Sequence, residues 1–470
     1  MLFYYSLLLT YFLKIAFDFN FVVYILSSFG VFLLLKHFLL PFFDVEISTI
    51  LDALFSLETS ENTCYIVSCL TFEEEIDIPT ILIKLRQNIA KFPQFNKMKK
   101  HFNMKFGVCY WTKSSNFTLE NHFEVINTVF ENDEALYEFM AKHVNEIKFP
   151  KNIPKWKLFL LKNLPGNKSA FVMKISHGMV DGISLMNFLM TVGESKEFKV
   201  VDLPKLSKWR RILLYILGIF QIGIFLKTSS LKKPDDNCFN NAKSEKKNSF
   251  CSSQLDLKIL KIYAKTLGVG LNDVVLSLLS MALQNYHLKK YNEDINEFSV
   301  FLAASLVPIR KANEVYPLHN NAILLSEKLY FIQKEEEFST YVKRFHLNFK
   351  RSKSSTLIYL QQFFVEILYL FIPIEIPHNM VSKVSGTHSA TFTSVPGPMT
   401  PVSIFGCQIE NIFFFVGGPA SMIFNILTYN EKLSLAGVAD EACGLQCKEL
   451  VEEFVKLFND KISNKKTLVN

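Results

Sequence analysis

The chain has 470 residues, of which 49% are hydrophobic and 20% charged, with 46 phenylalanines, 17 glycines and a net charge of +7. This composition excludes a disordered chain and a collagen-like one, and the length predicts about two to three domains around a large core. The positive charge is too small and too dispersed for a nucleic-acid-binding protein, but it suits an anionic membrane surface or an anionic substrate.

Residues 1–43 are almost entirely apolar, and residues 21–35 carry no charge. Together with residues 38–43, this stretch could cross a bilayer once or form a short hairpin. It lacks the basic start and the small-residue cleavage site of a signal peptide. We therefore predict a membrane anchor over residues 1–45, with a buried N-terminal helix as the alternative.

A first half is predicted over residues 55–226 from apolar residues at strand or helix spacing. The predicted strands are 63–72, 120–125, 156–162 and 170–176, and the predicted helices are 79–90, 133–147 and one that begins at residue 183. A second apolar run, 212–226, follows several basic residues and Trp209. That pattern is typical of an interfacial or re-entrant segment, and a helix buried in the fold is an equal alternative.

Residues 227–253 are rich in Ser, Asn and Lys and predict a polar linker before a second half, 254–465. In that half the predicted helices are 255–267, 272–291, 357–371 and 443–460, and the predicted strands are 299–309, 322–331, 390–395, 407–416, 421–429 and 432–438. Strands and helices alternate in both halves, which predicts an α/β protein.

Residues 171–185 contain the pattern that most clearly indicates a catalytic site. An apolar strand delivers His177 to a loop, Gly178 lets the backbone turn, and Gly182 opens the next helix. Imidazole titrates near neutral pH, so it can take a proton from a hydroxyl group. A histidine after a strand is more often a polar loop residue, but the His-x-x-x-Asp-Gly pattern with Asp181 favours a catalytic role.

Several other classes of site are excluded by missing motifs. The sequence has no Gly-x-Ser-x-Gly elbow, no Walker-type loop and no Gly-x-Gly-x-x-Gly after a strand. Its eight cysteines include no Cys-x-x-Cys pair, so we expect free thiols in a reducing compartment. We expect no metal site, because no cluster of ligands has metal spacing.

Residues 154–185 resemble the wax ester synthase/diacylglycerol acyltransferase family, CoA-dependent acyltransferases marked by His-His-x-x-x-Asp-Gly. Ser176 stands at the first histidine, His177 matches the second, catalytic one, and Asp181-Gly182 match the end. Other segments resemble family motifs in the same order over residues 60–460: Pro154-Lys155-Trp156, 271–276 with Asn272 and Asp273, 306–310 with Arg310, 394–398 with Ser394 in place of Asn, Asn425, Tyr429 and 437–440.

The resemblance implies two similar αβ halves, like those of chloramphenicol acetyltransferase, facing a substrate tunnel with His177 at its middle. It implies acyl transfer from acyl-CoA, as co-substrate, to a fatty alcohol or diacylglycerol, with no cofactor and no covalent acyl-enzyme. The implied catalytic residues are His177 and Asp181. The residues implied to support the loop are Gly178, Gly182, Arg310 and Asp273, with Asp181 paired to Arg310. The candidate oxyanion or substrate contacts are Asn272, Ser394 and Trp156. For Asn272, capping of a helix is an equal alternative.

Two departures from the family pattern keep other hypotheses open. Ser176 and Ser394 each replace a family residue, which allows an acyltransferase for another acceptor or a catalytically degenerate lipid-binding protein of the same fold. A Ser176–His177 dyad is disfavoured, because successive strand residues point to opposite faces. We expect acyl-CoA, the lipid acceptor and membrane lipid as partners, and no nucleic acid. We also expect an N-terminally anchored protein of the endoplasmic reticulum or plasma membrane, with its catalytic body facing the cytosol.

Overall fold

The computed structural model describes residues 45–59, 63–74, 76–105, 107–166, 168–194, 234–235, 237–240, 244–295, 298–305, 315, 317–353 and 372–464, with isolated residues near 11–36, 209–213 and 366–369. Apart from those isolated residues, three predicted features lie outside the described residues: the anchor before residue 45, the apolar run 212–226 and the helix 357–371. Arg310 also lies outside them.

The described chain alternates strands and helices, as predicted. The strands are β1 (Glu46–Ile47), β2 (Tyr65–Phe72), β3 (Lys100–Lys105), β4 (Val108–Lys113), β5 (Phe123–Ile126), β6 (Trp156–Leu164), β7 (Lys168–Ser176), β8 (Lys247–Cys251), β9 (Leu255–Asp256), β10 (Ser299–Ser305), β11 (Ala322–Lys328), β12 (Ala390–Pro396), β13 (Ser403–Ile404), β14 (Cys407–Val416), β15 (Met422–Tyr429) and β16 (Lys432–Asp440). The helices are α1 (Ile50–Ser56), α2 (Ile78–Lys91), α3 (Asp133–Val144), α4 (Gly182–Val192), α5 (Leu257–Leu267), α6 (Leu271–Tyr291), α7 (Phe338–Lys353), α8 (Glu375–Ser385) and α9 (Cys447–Phe458).

The first sheet has the order β13-β14-β2-β7-β6-β5, so it includes two strands from the second half of the chain. β14 pairs antiparallel with β2, with Val416 opposite Ile66. Along β14, Ile412 and Phe414 pack into the core on one face of the sheet, and Phe413 and Phe415 pack into the core on the other. A strand that is apolar on both faces must lie between two layers. The boundary at 227–253 therefore does not separate the two sheets, and the halves share strands.

The second sheet has the order β11-β10-β12-β15-β16-β8, and β9 also pairs with β16. Strands β10, β12 and β15 are parallel neighbours, whereas β16 and β8 are antiparallel. The strand β8 corrects the predicted linker, because it lies inside residues 227–253. Its Phe250 and Cys251 pack into the cores of the protein, which the polar residues around them concealed in the sequence.

Helices cover both sheets. The second sheet packs against α5, α6, α7 and α9 in one continuous core, in which α6 is buried along most of its length. The first sheet has α2 and α4 on one face and α3 on the other. Strands β1, β4 and β3 form a separate small sheet. This arrangement confirms the predicted α/β class.

Most predicted helices and strands in the described residues are confirmed to within a few residues, and the differences have local causes. Residues 119–122 form a 3-10 turn rather than the start of a strand. The last helix begins at Cys447 rather than at residue 443, because the chain first turns through Gly444 at φ 71°. Besides β8, the elements that the sequence analysis did not predict are α1, the β3–β4 hairpin, α7, α8 and the two-residue strands β1, β9 and β13.

Among the described helices, none is by itself both long and apolar enough to cross a membrane. Helices α5 and α6 taken together have the length and hydropathy that a membrane span requires, but they meet at an angle of 101°.

A substitution at Gly417, directly after β14, tests how tightly this strand packs into the first sheet. Its N–H donates to the Tyr65 carbonyl oxygen at 2.8 Å, and a Cβ there would lie 2.5 Å from the Thr63 carbonyl oxygen. We predict that Gly417→Ala lowers the free energy of unfolding by about 1–3 kcal/mol through overpacking. Thermal denaturation measures this loss. Gly386→Ala is the control, because its Cβ would meet its nearest atoms at 3.6 Å; equal melting temperatures for both variants would contradict the prediction.

Candidate active site

His177 lies immediately after β7, where the chain leaves the first sheet. Its backbone N–H donates to the Cys64 carbonyl oxygen at 2.7 Å, and its carbonyl oxygen accepts from the Val180 N–H at 3.2 Å. The imidazole is half-buried and stacks on the Phe55 ring, with centroids 4.3 Å apart. The turn over 177–180 thus holds the histidine at the end of the strand, as predicted.

Glycine is required at both motif positions because neighbouring atoms lie too close for a Cβ atom, and not because the backbone adopts unusual angles. A Cβ at Gly178 would lie 1.8 Å from the Ser56 hydroxyl oxygen and 2.8 Å from the Asp52 carbonyl oxygen. A Cβ at Gly182 would lie 2.9 Å from Val395 on β12. Gly178 therefore lets α1 pack on the histidine turn, and Gly182 lets α4 pack on the second sheet.

Asp181 joins the histidine turn to the second half of the chain. One carboxylate oxygen accepts from the Ser184 N–H at 2.8 Å and caps α4, and the other accepts from the Asn321 N–H at 3.1 Å. The Asp181 N–H donates to the His319 carbonyl oxygen at 3.2 Å. These contacts assign Asp181 to loop support. The predicted pair with Arg310 stays a prediction, because Arg310 lies outside the described residues.

The side-chain partner of His177 is Asn320, which lies just before β11. The distance from His177 Nδ1 to Asn320 Oδ1 is 2.9 Å. Asn320 Nδ2 donates to the His177 carbonyl oxygen at 2.7 Å and to Asp52 Oδ1 at 2.9 Å. Lys97 Nζ, in turn, lies 2.6 Å from Asp52 Oδ2.

Burial lowers the pKa of His177, and a hydrogen bond with its own backbone, the charge of Asp181, the hydrogen bond to Asn320 and the charge of Asp52 oppose that shift. The neutral imidazole is therefore the dominant form at neutral pH. Burial also lowers the pKa of Lys97, and the attraction of Asp52 opposes it. A neutral imidazole is the form that can accept a proton from a substrate.

Ser176 makes no hydrogen bond with the imidazole. Its side chain is buried, and its hydroxyl oxygen has no hydrogen-bond partner within the described residues. His177 Nδ1 is occupied by Asn320 instead. The structure thus brings no serine nucleophile to His177 through its neighbour in sequence.

Trp156 is a core residue. Its side chain is 1% exposed, its indole N–H donates to the Met98 carbonyl oxygen at 2.8 Å, and its ring stacks on His122. The indole N–H is therefore already bonded within the fold, and a substrate contact for Trp156 stays a prediction.

The Asn272-Asp273 motif lies at the start of α6. The cap of this helix is Gly270 rather than Asn272, and Asp273 Oδ2 accepts from the Gly270 N–H at 2.8 Å and bonds His346 at 2.6 Å. Asp273 thus organises its own helix end. The half-buried Asn272 is not the helix cap, and its contact with substrate stays a prediction.

Ser394 lies on β12 beside the contact between the halves. It is half-buried and stands opposite Ile426 of β15. Its neighbour Val395 points towards α4 and packs in the core of the first half. A substrate contact for Ser394 also stays a prediction.

Two narrow apolar cavities of about 20 Å³ each flank α4. One lies where the halves meet and is lined by Ile66 and Leu185 from the first half and by Val395 and Leu427 from the second. The other lies between α4 and the first sheet and is lined by Trp156 and Phe171, among others. Within the described residues no group of His, Cys, Asp and Glu side chains could hold a metal ion.

Sequence reasoning missed Asn320, Asp52 and Lys97. Asn320 lies 143 residues after His177, and Asp52 lies 268 residues before Asn320. The only local signal was the polar run His319-Asn320-Asn321 directly before a strand, which is where loop residues often carry function.

Comparisons with known proteins match this arrangement. Residues 49–197 match the wax ester synthase/diacylglycerol acyltransferase catalytic domain, and residues 329–460 match the WS/DGAT C-terminal domain. The O-acyltransferase WSD of Acinetobacter baylyi is 22% identical over 414 residues, covering 78% of this chain and 87% of that protein.

Solved structures show the same fold. The wax ester synthase/diacylglycerol acyltransferase from Marinobacter aquaeolei superposes with a TM-score of 0.60 at 16% identity, covering 87% of this chain and 98% of that one. The first condensation domain of the CDA synthetase gives a TM-score of 0.56 at 12% identity, covering 89% and 97%. The predicted fold class is therefore confirmed. The chain belongs to the wax ester synthase/diacylglycerol acyltransferase family of acyl-CoA-dependent O-acyltransferases.

Proposed function

We propose that the protein transfers a long-chain acyl group from acyl-CoA to the hydroxyl group of a fatty alcohol or a diacylglycerol, with His177 as the general base. The observation that carries this proposal is the environment of the imidazole. Burial lowers its pKa, and Asn320 occupies Nδ1, which leaves Nε2 for proton transfer. Family membership supplies the acyl-CoA and the lipid acceptor.

The reaction proceeds by direct transfer. Nε2 of His177 takes the proton of the acceptor hydroxyl as its oxygen attacks the thioester carbonyl carbon. The tetrahedral intermediate then collapses, the carbon–sulfur bond breaks, and the imidazolium returns the proton to the CoA thiolate. No acyl-enzyme forms, which is consistent with the absence of a hydrogen bond between Ser176 and the imidazole.

The remaining residues support this chemistry in different ways. Asp181 holds the histidine turn against the 318–321 segment and does not itself transfer a proton. Asn272 and Ser394 remain candidate donors to the oxygen of the tetrahedral intermediate. In other enzymes the loss of one such donor lowers kcat by about 100–1,000-fold.

The proposal includes attachment to a membrane. The apolar sequence of residues 1–43 supports it, and so does the low water solubility of the acceptors. The cavities beside α4 have apolar walls but room for only about one water each, so an acyl chain at either place requires the walls to separate. Sedimentation of the full chain with membranes after a high-salt wash tests the attachment.

We predict that His177→Ala lowers acyl transfer by about 100–10,000-fold, because the general base is removed. Labelled acyl-CoA is supplied to membranes carrying the full chain, with fatty alcohol and diacylglycerol in separate reactions. His378→Ala on α8 is the matched control and retains wild-type activity. Equal product from wild type and His177→Ala overturns the enzymatic proposal. If the wild type forms no product with either acceptor, the assigned acceptors are wrong.

The lowered pKa of His177 also predicts the pH dependence. The base acts in its neutral form, so activity is present above its folded-state pKa and is lost as the pH falls through that value. Because burial places that pKa below the ordinary imidazole value of about 6.5, the midpoint of the acid limb of kcat lies below pH 6.5. A profile of kcat against pH measures this limb. A midpoint above pH 6.5 would contradict the assignment.

A further inference from the structure

We propose that Asn320 sets the tautomer of His177, and that the buried ion pair of Asp52 and Lys97 positions Asn320 for this task. The inference rests on the proposed role of His177 as the base, and it assigns three positioning residues that none of the sequence motifs contains. It is carried by the hydrogen-bond network around the imidazole.

The orientation of the Asn320 amide follows from its partners. Its Nδ2 lies 2.7 Å from the His177 carbonyl oxygen and 2.9 Å from Asp52 Oδ1. A carbonyl oxygen and a carboxylate oxygen only accept hydrogen bonds, so both need the two hydrogens of the amide nitrogen. A flipped amide would turn its own oxygen towards these two oxygens, and all three would repel one another.

The amide oxygen therefore faces the ring, 2.9 Å from His177 Nδ1. Because this oxygen only accepts, Nδ1 must carry the proton and donate it. In the neutral ring the other nitrogen, Nε2, then holds the free lone pair. Asn320 thus selects the tautomer in which Nε2 can take a proton from an acceptor alcohol.

Asp52 fixes Asn320 from the other side. Its carboxylate on α1 accepts from Asn320 through Oδ1 and from Lys97 through Oδ2, at 2.9 and 2.6 Å. Both side chains are almost fully removed from solvent, with 5% of Asp52 and 10% of Lys97 exposed. A buried carboxylate with two fixed donors has one orientation, so it gives the amide a fixed acceptor.

Lys97 connects this carboxylate to the two segments that carry His177 and Asn320. Its ammonium group lies 3.2 Å from the Gly178 carbonyl oxygen and 3.4 Å from the Leu318 carbonyl oxygen. Asp181 and Ser184 bind the same 318–321 segment through Asn321 and His319. The distance between the ring and the amide is thereby set by rigid neighbours on both sides.

Four variants test the network. Asn320→Leu removes the amide and keeps its approximate size, and Asp52→Asn removes one charge. Asn285→Leu is the matched control for the amide, because Asn285 bonds Glu453 at 2.7 Å in the contact of α6 with α9. Asp440→Asn is the matched control for the ion pair, because Lys247 and Asp440 form another buried pair at 2.6 Å.

We expect Asn320→Leu to lower kcat by about 10–100-fold with an unchanged KM, as for other residues that orient a reacting group. Asp52→Asn moves the acid limb of kcat to lower pH, because the lost negative charge had raised the pKa of His177; Asp181 and Lys97, the other charged groups of this network, are unchanged. The double variant is no slower than Asn320→Leu alone, since Asp52 acts through Asn320. The two controls change thermal stability and leave kcat and its pH profile as in the wild type.

A second measurement needs no activity and reads the tautomer in the wild-type protein. Nitrogen-15 spectra of histidine-labelled protein distinguish the two neutral tautomers, and the spectrum of His177→Gln identifies the His177 signals. We expect a protonated Nδ1 and an unprotonated Nε2 in the wild type. A protonated Nε2 overturns the inference, as does wild-type kcat with an unshifted acid limb in Asn320→Leu and Asp52→Asn. An active His177→Ala overturns instead the proposed function and leaves the tautomer measurement to decide the network.

Discussion

Polar contacts between the histidine turn and the 318–321 segment hold together the two parts of the chain that form the site. The Asp181 carboxylate accepts from the Asn321 N–H, and the Asp181 backbone N–H donates to the His319 carbonyl oxygen. Asn320 forms hydrogen bonds with the His177 ring and with its backbone carbonyl oxygen. Asp181 and Asn320 are buried and the other groups are half-buried, so breaking one of these bonds leaves a polar group poorly reached by water. The position of the imidazole therefore depends on both halves.

The shared strands make this joint rigid. Because β14 belongs to the first sheet by pairing and to the second half by sequence, the halves cannot separate without breaking a central ladder. Val395 of β12 packs against Gly182 at the start of α4, directly beside Asp181. The two halves are therefore joined by backbone pairing and by side-chain packing next to the histidine turn.

The sequence predicted the fold and the motif wherever the pattern depends on residues close together in the chain. The apolar runs of β7 and β14, the start of α4 at Gly182 and the ordered motifs depend on residues close together in the chain, and all of them except the 306–310 motif lie in the described residues. The partners of His177 were not readable, because Asn320 and Asp52 reach it only through the packing of α1 and the 318–321 segment. The contacts of Trp156 with His122 and Met98 were not predictable for the same reason, because no spacing in the sequence reveals them.

An amide between the imidazole and a carboxylate solves a conflict between orientation and basicity. A carboxylate in direct contact with Nδ1 would orient the ring, but its full charge would raise the pKa of His177 and favour the protonated form. Asn320 orients the ring with a neutral oxygen, and Lys97 pairs with Asp52 behind it, which weakens the effect of that charge on the ring. Burial can then keep the pKa of His177 low while the ring remains fixed. A base that is neutral at cellular pH and correctly oriented suits an alcohol nucleophile, whose proton must leave only as the carbon–oxygen bond forms.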